Sequence, residues 1–284
     1  MKILITGGDG FIARNIKKYL SQFDYLIDCF GRGKLDLKSD KIWLRPDYDV
    51  VIHTAVQGGW GSKSGIPNCF DFYDNLYMFE NLVSNIKNDC VLINIASGAE
   101  FRGNNIDSHI DNAETSDLYK SPFPKDFYGL AKNIIAKRVI SREHSYNLRL
   151  FACFGFDEIP SRFIKSCFMN ETVTISKNKF FDFFYVDDVA RLVKFLIDDG
   201  IPIRSGTISD INCVYPEKKS LHQVAEIIKD KYRPNLKINV ESNDGSPYTG
   251  SAVELKKISI FMKDKLVGFD KALKEYNEAH KLFN

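Results

Sequence analysis

The first thirteen residues restrict the fold more than any other part of the chain. Lys2-Ile3-Leu4-Ile5-Thr6 is an apolar run of strand length, Gly7-Gly8-Asp9-Gly10 is a glycine turn, and Phe11-Ile12-Ala13 opens a segment with helical periodicity. A strand that passes through a tight turn straight into a helix is the first half of a βαβ unit, because parallel strands need a crossover that is usually helical. Apolar runs at 2–6, 25–30, 50–54, 91–96 and 147–152 alternate with helix-period segments at 11–22, 71–88 and 126–145. That order predicts strands buried on both faces of a parallel sheet.

The expected fold class is therefore α/β, a Rossmann-type doubly wound parallel sheet, with ligands bound beyond the carboxyl ends of the strands. Past residue 155 the pieces shorten: a β-like 172–176, an amphipathic 186–197, and helices at 220–231 and 268–281. They predict a small C-terminal substrate-binding lobe. The boundaries are 1–155 for a dinucleotide-binding domain, to whose sheet later residues contribute, and 156–284 for a lobe interleaved with it.

At 284 residues and 44% hydrophobic the chain has ample material for a core. A net charge of +2, with lysines spread along the sequence, gives no argument for nucleic acid or an anionic membrane as partner and favours a small ligand. The six cysteines are scattered, with no Cys-x-x-Cys spacing and no His cluster, so no metal site is expected and the thiols read as reduced, in a cytoplasmic protein. Neither a signal-type h-region nor an apolar run of membrane-spanning length is evident.

The glycine turn fits Gly-x-Gly-x-x-Ala from Gly8 and Gly-x-x-Gly-x-x-Ala from Gly7. Small residues let the backbone approach a pyrophosphate, whose charge the following helix N-terminus favours. Gly7, Gly10, Phe11 and Ile12 are the candidate contacts. The end of the second strand, Asp28-Cys29-Phe30-Gly31-Arg32-Gly33-Lys34, discriminates between dinucleotides: a cation accommodates a 2′-phosphate, an acid holds a 2′-hydroxyl. Arg32 and Lys34 favour NADP(H), while Asp28 keeps NAD(H) open.

Two Tyr-x-x-x-Lys pairs occur, Tyr128 with Lys132 and Tyr215 with Lys219. One helical turn places a phenol and an ammonium on the same face, and a nearby cation favours the phenolate. Spacing alone does not choose between the pairs.

In order along the chain, the glycine turn, Gly31-Arg32 with Leu35-Asp36-Leu37, Val51-Ile52-His53-Thr54-Ala55, Asn75 opening a helix, Ile95-Ala96-Ser97-Gly98-Ala99, Tyr128-Gly129-Leu130-Ala131-Lys132, Arg149-Leu150-Phe151 and Phe183-Phe184-Tyr185-Val186-Asp187-Asp188 resemble the extended short-chain dehydrogenase/reductase family, also called the NAD-dependent epimerase/dehydratase family. The resemblance implies Ser97, Tyr128 and Lys132 as the catalytic set, with Tyr215 a decoy. Ser97 would bond a substrate oxygen, Tyr128 would protonate it, and Lys132 would lower the phenol pKa and grip the nicotinamide ribose. It further implies that Asp36 and Leu37 contact the adenine and that Ala55, Val56 and Gln57 wall the cofactor.

Departures from the family pattern narrow the chemistry. Ser97-Gly98-Ala99 stands where sugar-nucleotide 4,6-dehydratases carry Thr-Asp-Glu, and the cysteine and histidine of epimerising reductases have no counterpart at Ala99 or beyond Gly155. Phe181 stands where the family keeps a diphosphate-clamping arginine, leaving Arg162, Lys165 or Lys179 to replace it; Ser97, Gly98, Ala99, Arg162 and Lys179 are the candidate substrate contacts. The pattern is closest to nucleotide-sugar 4-ketoreductases. It implies NADPH-dependent reduction of a nucleotide-activated 4-keto-6-deoxyhexose by a homodimer paired through helices near 71–88 and 126–145. The alternatives are an NAD-dependent C4 epimerase using the same three residues, and a non-catalytic dinucleotide sensor.

Overall fold

Five of the six strands of the central sheet are the apolar runs seen in the sequence, and the sixth comes from the far end of the chain. The structure, a computed structural model, describes residues 1–39, 47–58, 68–102, 109–198 and 208–283. In chain order the first half contains β1 (Lys2–Thr6), α1 (Phe11–Leu20), β2 (Leu26–Phe30), β3 (Val50–His53), α2 (Cys69–Ser84), β4 (Val91–Ser97), a 3-10 turn (Gly98–Phe101), β5 (Ile110–Ala113), α3 (Asp117–Lys120), α4 (Phe127–Ile140) and β6 (Ser145–Leu150). The second half contains β7 (Ala152–Phe154), α5 (Phe163–Met169), β8 (Thr172–Ile175), β9 (Phe183–Tyr185), α6 (Val186–Asp198), β10 (Asp210–Cys213), α7 (Leu221–Lys231), β11 (Lys237–Val240), β12 (Tyr248–Gly250), α8 (Val253–Ser259) and α9 (Phe269–Phe283).

The main sheet is parallel throughout and runs β2-β1-β3-β4-β6-β10. The chain moves from β1 to one side for β2 and returns to the other side for β3, so the topological switch point lies between β1 and β3. Three short parallel pairs, β5 with β12, β7 with β9 and β8 with β11, hold the later elements against the carboxyl ends of the sheet.

Helix boundaries follow their caps. Asn68 accepts the Phe70 and Asp71 N–H groups while the Asp71 carboxylate accepts the Asn68 N–H, a reciprocal capping box that starts α2 two residues before the expected position. Asn75 therefore does not open this helix. It is buried in the second turn, where its side chain accepts from the Gln57 N–H at 2.9 Å and donates to the Gln57 carbonyl at 2.7 Å, pinning the loop after β3.

The main core, from Ile3, Ile5, Ile52, Ile93 and Leu148 to α6, α7 and α9, is continuous through the sheet into the C-terminal elements. A second cluster of Leu4, Leu37, Val51, Phe79 and Leu92 lies under α2 and α4. Strand β6 is buried at all six positions although Ser145, Asn147 and Arg149 alternate with its apolar residues. Asn147 bridges Asn94 and the Ala136 carbonyl, and Arg149 bonds Glu100, Asp210 and Asn212, so this polar face is satisfied beneath α4. Among the described residues no helix is long and apolar enough to cross a membrane.

Candidate active site

At the switch point Gly7 has φ +69°, and a Cβ there would lie 2.8 Å from the Ala55 N and Cα atoms. The turn is thus pressed against the loop leaving β3, a close approach available only to glycine. Gly10 caps α1 without a side-chain bond, its N–H closing the turn onto the Gly7 carbonyl at 2.8 Å. The first N–H groups of α1 are left for an anion.

The catalytic candidates converge through a second tight contact. Asp126 caps α4 by accepting the Gly129 N–H at 2.7 Å, and a Cβ at Gly129 would lie 2.7 Å from the Ala99 carbonyl. Asn133 donates to the Glu100 carbonyl at 2.9 Å. The start of α4 is therefore stapled to the 3-10 turn that follows β4, and this brings Tyr128 and Lys132 beside Ser97. The turn itself closes as a capping box: the Ser97 Oγ accepts the Ala99 N–H at 3.2 Å and Glu100 accepts the Ser97 N–H at 2.8 Å.

A cavity of about 640 Å³ opens at the carboxyl ends of β4 and β6, lined by Ile12, Thr54, Val56, Ser97, Tyr128 and Lys132 on the sheet side and by Arg162, Lys177, Lys179, Phe181 and Tyr248 on the other. Lys132 is 5% exposed and donates to the Ile95 carbonyl at 3.0 Å; burial holds its ammonium down at about 8, against a smaller upward pull from Glu100. Burial pushes the Tyr128 phenol above its ordinary value, opposed by hydrogen bonding to the Ser97 side chain and by the Arg102 charge. Lys132, expected to lower this phenol, donates to the Ile95 carbonyl, while Ser97 and Arg102 oppose the rise. His53, buried and paired with the Thr6 hydroxyl at 3.0 Å, is held neutral by desolvation, down to about 3.

Other predicted residues divide. Ile12, Val56, Arg162 and Lys179 line the cavity, and Phe11 packs against Gly155 at its edge. Ala55 and Gln57 lie on the loop facing the glycine turn, and Arg32, exposed, donates to the Gln57 Oε1 at 2.5 Å. Asp36 is turned onto the Lys38 N–H, and the Leu37 side chain is 3% exposed in the α2 core, so neither side chain faces the cavity. Gly98 and Ala99 are buried behind Phe151, whose ring would lie 2.5 Å from a Gly98 Cβ; they shape the turn and do not line the cavity. Lys165 donates to the Phe156 carbonyl and is absent from the lining. Tyr215 donates to Asp188 at 2.5 Å and to nothing catalytic, as expected of a decoy.

Sequence reasoning missed Arg102 and Tyr248. Neither lies in a periodic or glycine-flanked motif, and Tyr248 reaches the site because β12 pairs with β5 on one side and with the Phe180 to Asp182 backbone on the other.

A family profile described as NAD dependent epimerase/dehydratase matches residues 3–211. The chain belongs to this family. No curated sequence matches it. Among solved structures, this member of the family is similar to the GDP-mannoheptose C4 reductase MlghC of Campylobacter jejuni with NADP bound, at 17% identity and TM-score 0.74, with 99% of this chain and 98% of that one covered. It is similar as well to a Thermus thermophilus UDP-glucose 4-epimerase complexed with NAD, at 16% identity and TM-score 0.72, with 99% of each covered. A third is a GDP-L-fucose synthetase of Naegleria fowleri bound to NADP, at 18% identity and TM-score 0.72, with 98% of this chain and 91% of that one covered. At such identities the likeness establishes the fold, an α/β Rossmann-type architecture, while the family assignment is to the NAD-dependent epimerases and dehydratases.

Proposed function

We propose that the protein reduces a nucleotide-activated 4-keto-6-deoxyhexose with NADPH. The observation that carries the reading is what surrounds Ser97, Tyr128 and Lys132: a proton donor, its hydroxyl partner and a cation, with no second free acid or base on the adjoining turn. Glu100, the nearest carboxylate, is fully buried and engaged by Arg149 at 2.7 Å and by the Ser97 N–H, so it does not serve the cavity as a dehydrating acid or base. Gly98 and Ala99 supply none.

The described residues fit a nicotinamide dinucleotide: the turn at Gly7 to Gly10 and the start of α1 would hold its pyrophosphate, and Lys132 would lie beside its ribose. When bound, the reduced nicotinamide supplies hydride to the keto carbon. The Tyr128 phenol then gives its proton to the oxygen that receives the carbonyl electron pair, leaving a phenolate stabilised by Ser97 and Arg102. Among the described residues five cations line the cavity (Arg102, Lys132, Arg162, Lys177 and Lys179) against one carboxylate, Asp244, a balance that suits a diphosphate-linked sugar. Phe181 sits where a clamping arginine was expected, with the Lys179 ammonium 5.2 Å from its ring centroid, so the diphosphate role passes to Lys179, Lys177 and Arg162.

For the cofactor, Arg14, Lys17, Lys18 and Lys34 surround a cleft of about 590 Å³ beside Gly8, Gly31 and Gly33, which favours a 2′-phosphate and hence NADP(H). NAD(H) has one supporting observation, the Asp9 carboxylate lying against Gly31 at the mouth of the same cleft. We further infer a homodimer formed through α2 and α4, where Phe70, Tyr73 and Tyr77 of α2 and Phe127 at the start of α4 are exposed, with Phe123 exposed just before α4.

The test is absorbance at the NADPH band with a panel of 4-keto-6-deoxy nucleotide sugars. Turnover with at least one, and none with the 4-hydroxy sugars and NAD, is expected. Interconversion of 4-hydroxy epimers by protein that retains NAD through purification would refute the reductase reading in favour of the epimerase.

A further inference from the structure

We propose that Asp9, on the glycine turn, sets the preference between NAD(H) and NADP(H), accepting a ribose 2′-hydroxyl and opposing a 2′-phosphate. The packing of the turn on β2 places its carboxylate. The Gly8 N–H donates to the Phe30 carbonyl at 2.9 Å, and a Cβ at Gly8 would lie 2.9 Å from the Phe30 carbonyl carbon. The turn therefore rests on the last residue of β2, and the Asp9 side chain that follows reaches over Gly31. A Cβ at Gly31 would overlap that carboxylate, so glycine is what leaves it room.

In a sheet of this topology the charge just beyond the second strand reads the adenosine ribose. From the sequence the acids available there are Asp28 and Asp36, and the structure commits both elsewhere. Asp28 accepts the Tyr48 hydroxyl at 2.7 Å, on the face of β2 opposite to Cys29, which lines the cleft beside Gly8 and Gly31. Asp36 accepts the Lys38 N–H at 3.0 Å. Among the described residues Asp9 is the carboxylate that lines this cleft, which it shares with Arg14, Lys17, Lys18 and Lys34. Arg14 donates to the Asp9 carbonyl and, at 3.2 Å, to Asp157, which ties it to the turn and to the loop after β7. Lys34 is brought round by a turn in which the Lys34 and Leu35 N–H groups both donate to the Gly31 carbonyl at 3.0 Å. Opposed charges thus bear on one ribose position: the carboxylate suits a hydroxyl donor, the lysines suit a phosphate. Asp9 holds the affinity for NADP(H) below what the lysines alone would give.

The assignment rests on reading this cleft as the adenosine end of a bound dinucleotide and is independent of the sugar chemistry. Dissociation constants of NADH and NADPH are measured by nicotinamide fluorescence on dinucleotide-free protein, for the parent, Asp9→Asn and Asp28→Asn. Asp9→Asn tightens NADPH about 10-fold and weakens NADH about 3- to 10-fold, because the repelling charge goes and the bond from the hydroxyl weakens. Opposite signs for the two cofactors do not arise from general damage to the fold. Asp28→Asn moves neither. A ratio of the two constants unchanged by Asp9→Asn, a parallel loss of both, or a ratio shifted by Asp28→Asn overturns the proposal. Should Asp9→Asn not fold, an NADH analogue lacking the adenosine 2′-hydroxyl takes its place. It binds the parent about 3- to 10-fold more weakly than NADH, and equal binding overturns the proposal. A parent that binds NADH alone, with NADPH binding gained in Asp9→Asn, supports the assignment and refutes the NADPH reading; a parent that binds neither refutes both.

Discussion

Lys132→Met is expected to make the protein more stable and catalytically dead at once. The ammonium is 5% exposed, and burial lowers its pKa from 10.5 to about 8. At about 1.4 kcal/mol per pH unit that displacement is worth roughly 3 kcal/mol. The sign follows from proton counts. Between about pH 8 and 10.5 the unfolded chain binds the proton and the folded chain does not, so the folded state gains stability from this group as pH rises across that window. Below pH 8 the full cost of a buried charge is present. Methionine removes that cost with similar volume but leaves the Ile95 carbonyl, now bonded at 3.0 Å, without its donor, a loss of about 1–2 kcal/mol. The net gain at pH 7 is about 1–2 kcal/mol, or roughly 2–8 °C in melting temperature for a chain of this size. Scanning calorimetry of the dinucleotide-free protein and its variant at pH 7 and pH 10.5 measures it. The variant should melt higher at pH 7, melt below the parent at pH 10.5, where the charge cost has gone and the lost bond to the Ile95 carbonyl remains, and oxidise no NADPH in the assay above. A variant that melts at or below the parent at pH 7, or whose advantage is the same at both pH values, would refute the argument that the Lys132 ammonium is held at a cost to the fold.

Two further predictions concern the shell that places Ser97. Gly98→Ala drives a Cβ to within 2.5 Å of the Phe151 ring, and the overpacking should destabilise by about 1–3 kcal/mol and displace Ser97, read as a lower urea midpoint together with a lower kcat. Glu100→Ala leaves the buried Arg149 with Asp210 as its remaining carboxylate and the Ser97 N–H without an acceptor, costing about 3–5 kcal/mol by chemical denaturation. Glu80→Ala, which removes the exposed partner of Arg138, is its control and should cost under about 1 kcal/mol.

The strands and the glycine turn were legible because the physics that makes them is local. β1 is apolar on both faces, and Gly7 must adopt φ +69° within one residue of its end. The Tyr128 and Lys132 pair was legible once its place between the Ser97 strand and the Arg149 strand was considered. Boundaries were less so. The reading of β6 began two residues late because Ser145 looks like a solvent-facing position, whereas its hydroxyl is buried between the Arg142 guanidinium and the Glu143 carbonyl. Gly98, Ala99 and Leu37 were assigned to ligands by their place in a motif, whereas packing against Phe151 and α2 uses them for shape.

By itself, then, the sequence determined the βα order, the switch-point turn and the one-turn spacing of phenol and ammonium, since each depends on residues within a few positions of one another. Tertiary structure alone decided which charges reach Tyr128, that Glu100 is consumed by Arg149, and that Tyr248 shares a cavity with Ser97 from 151 residues away along the chain. Those outcomes depend on desolvation and on contacts between distant segments. Neither quantity exists until the sheet, α4 and the β5 and β12 pair have closed around the same cavity.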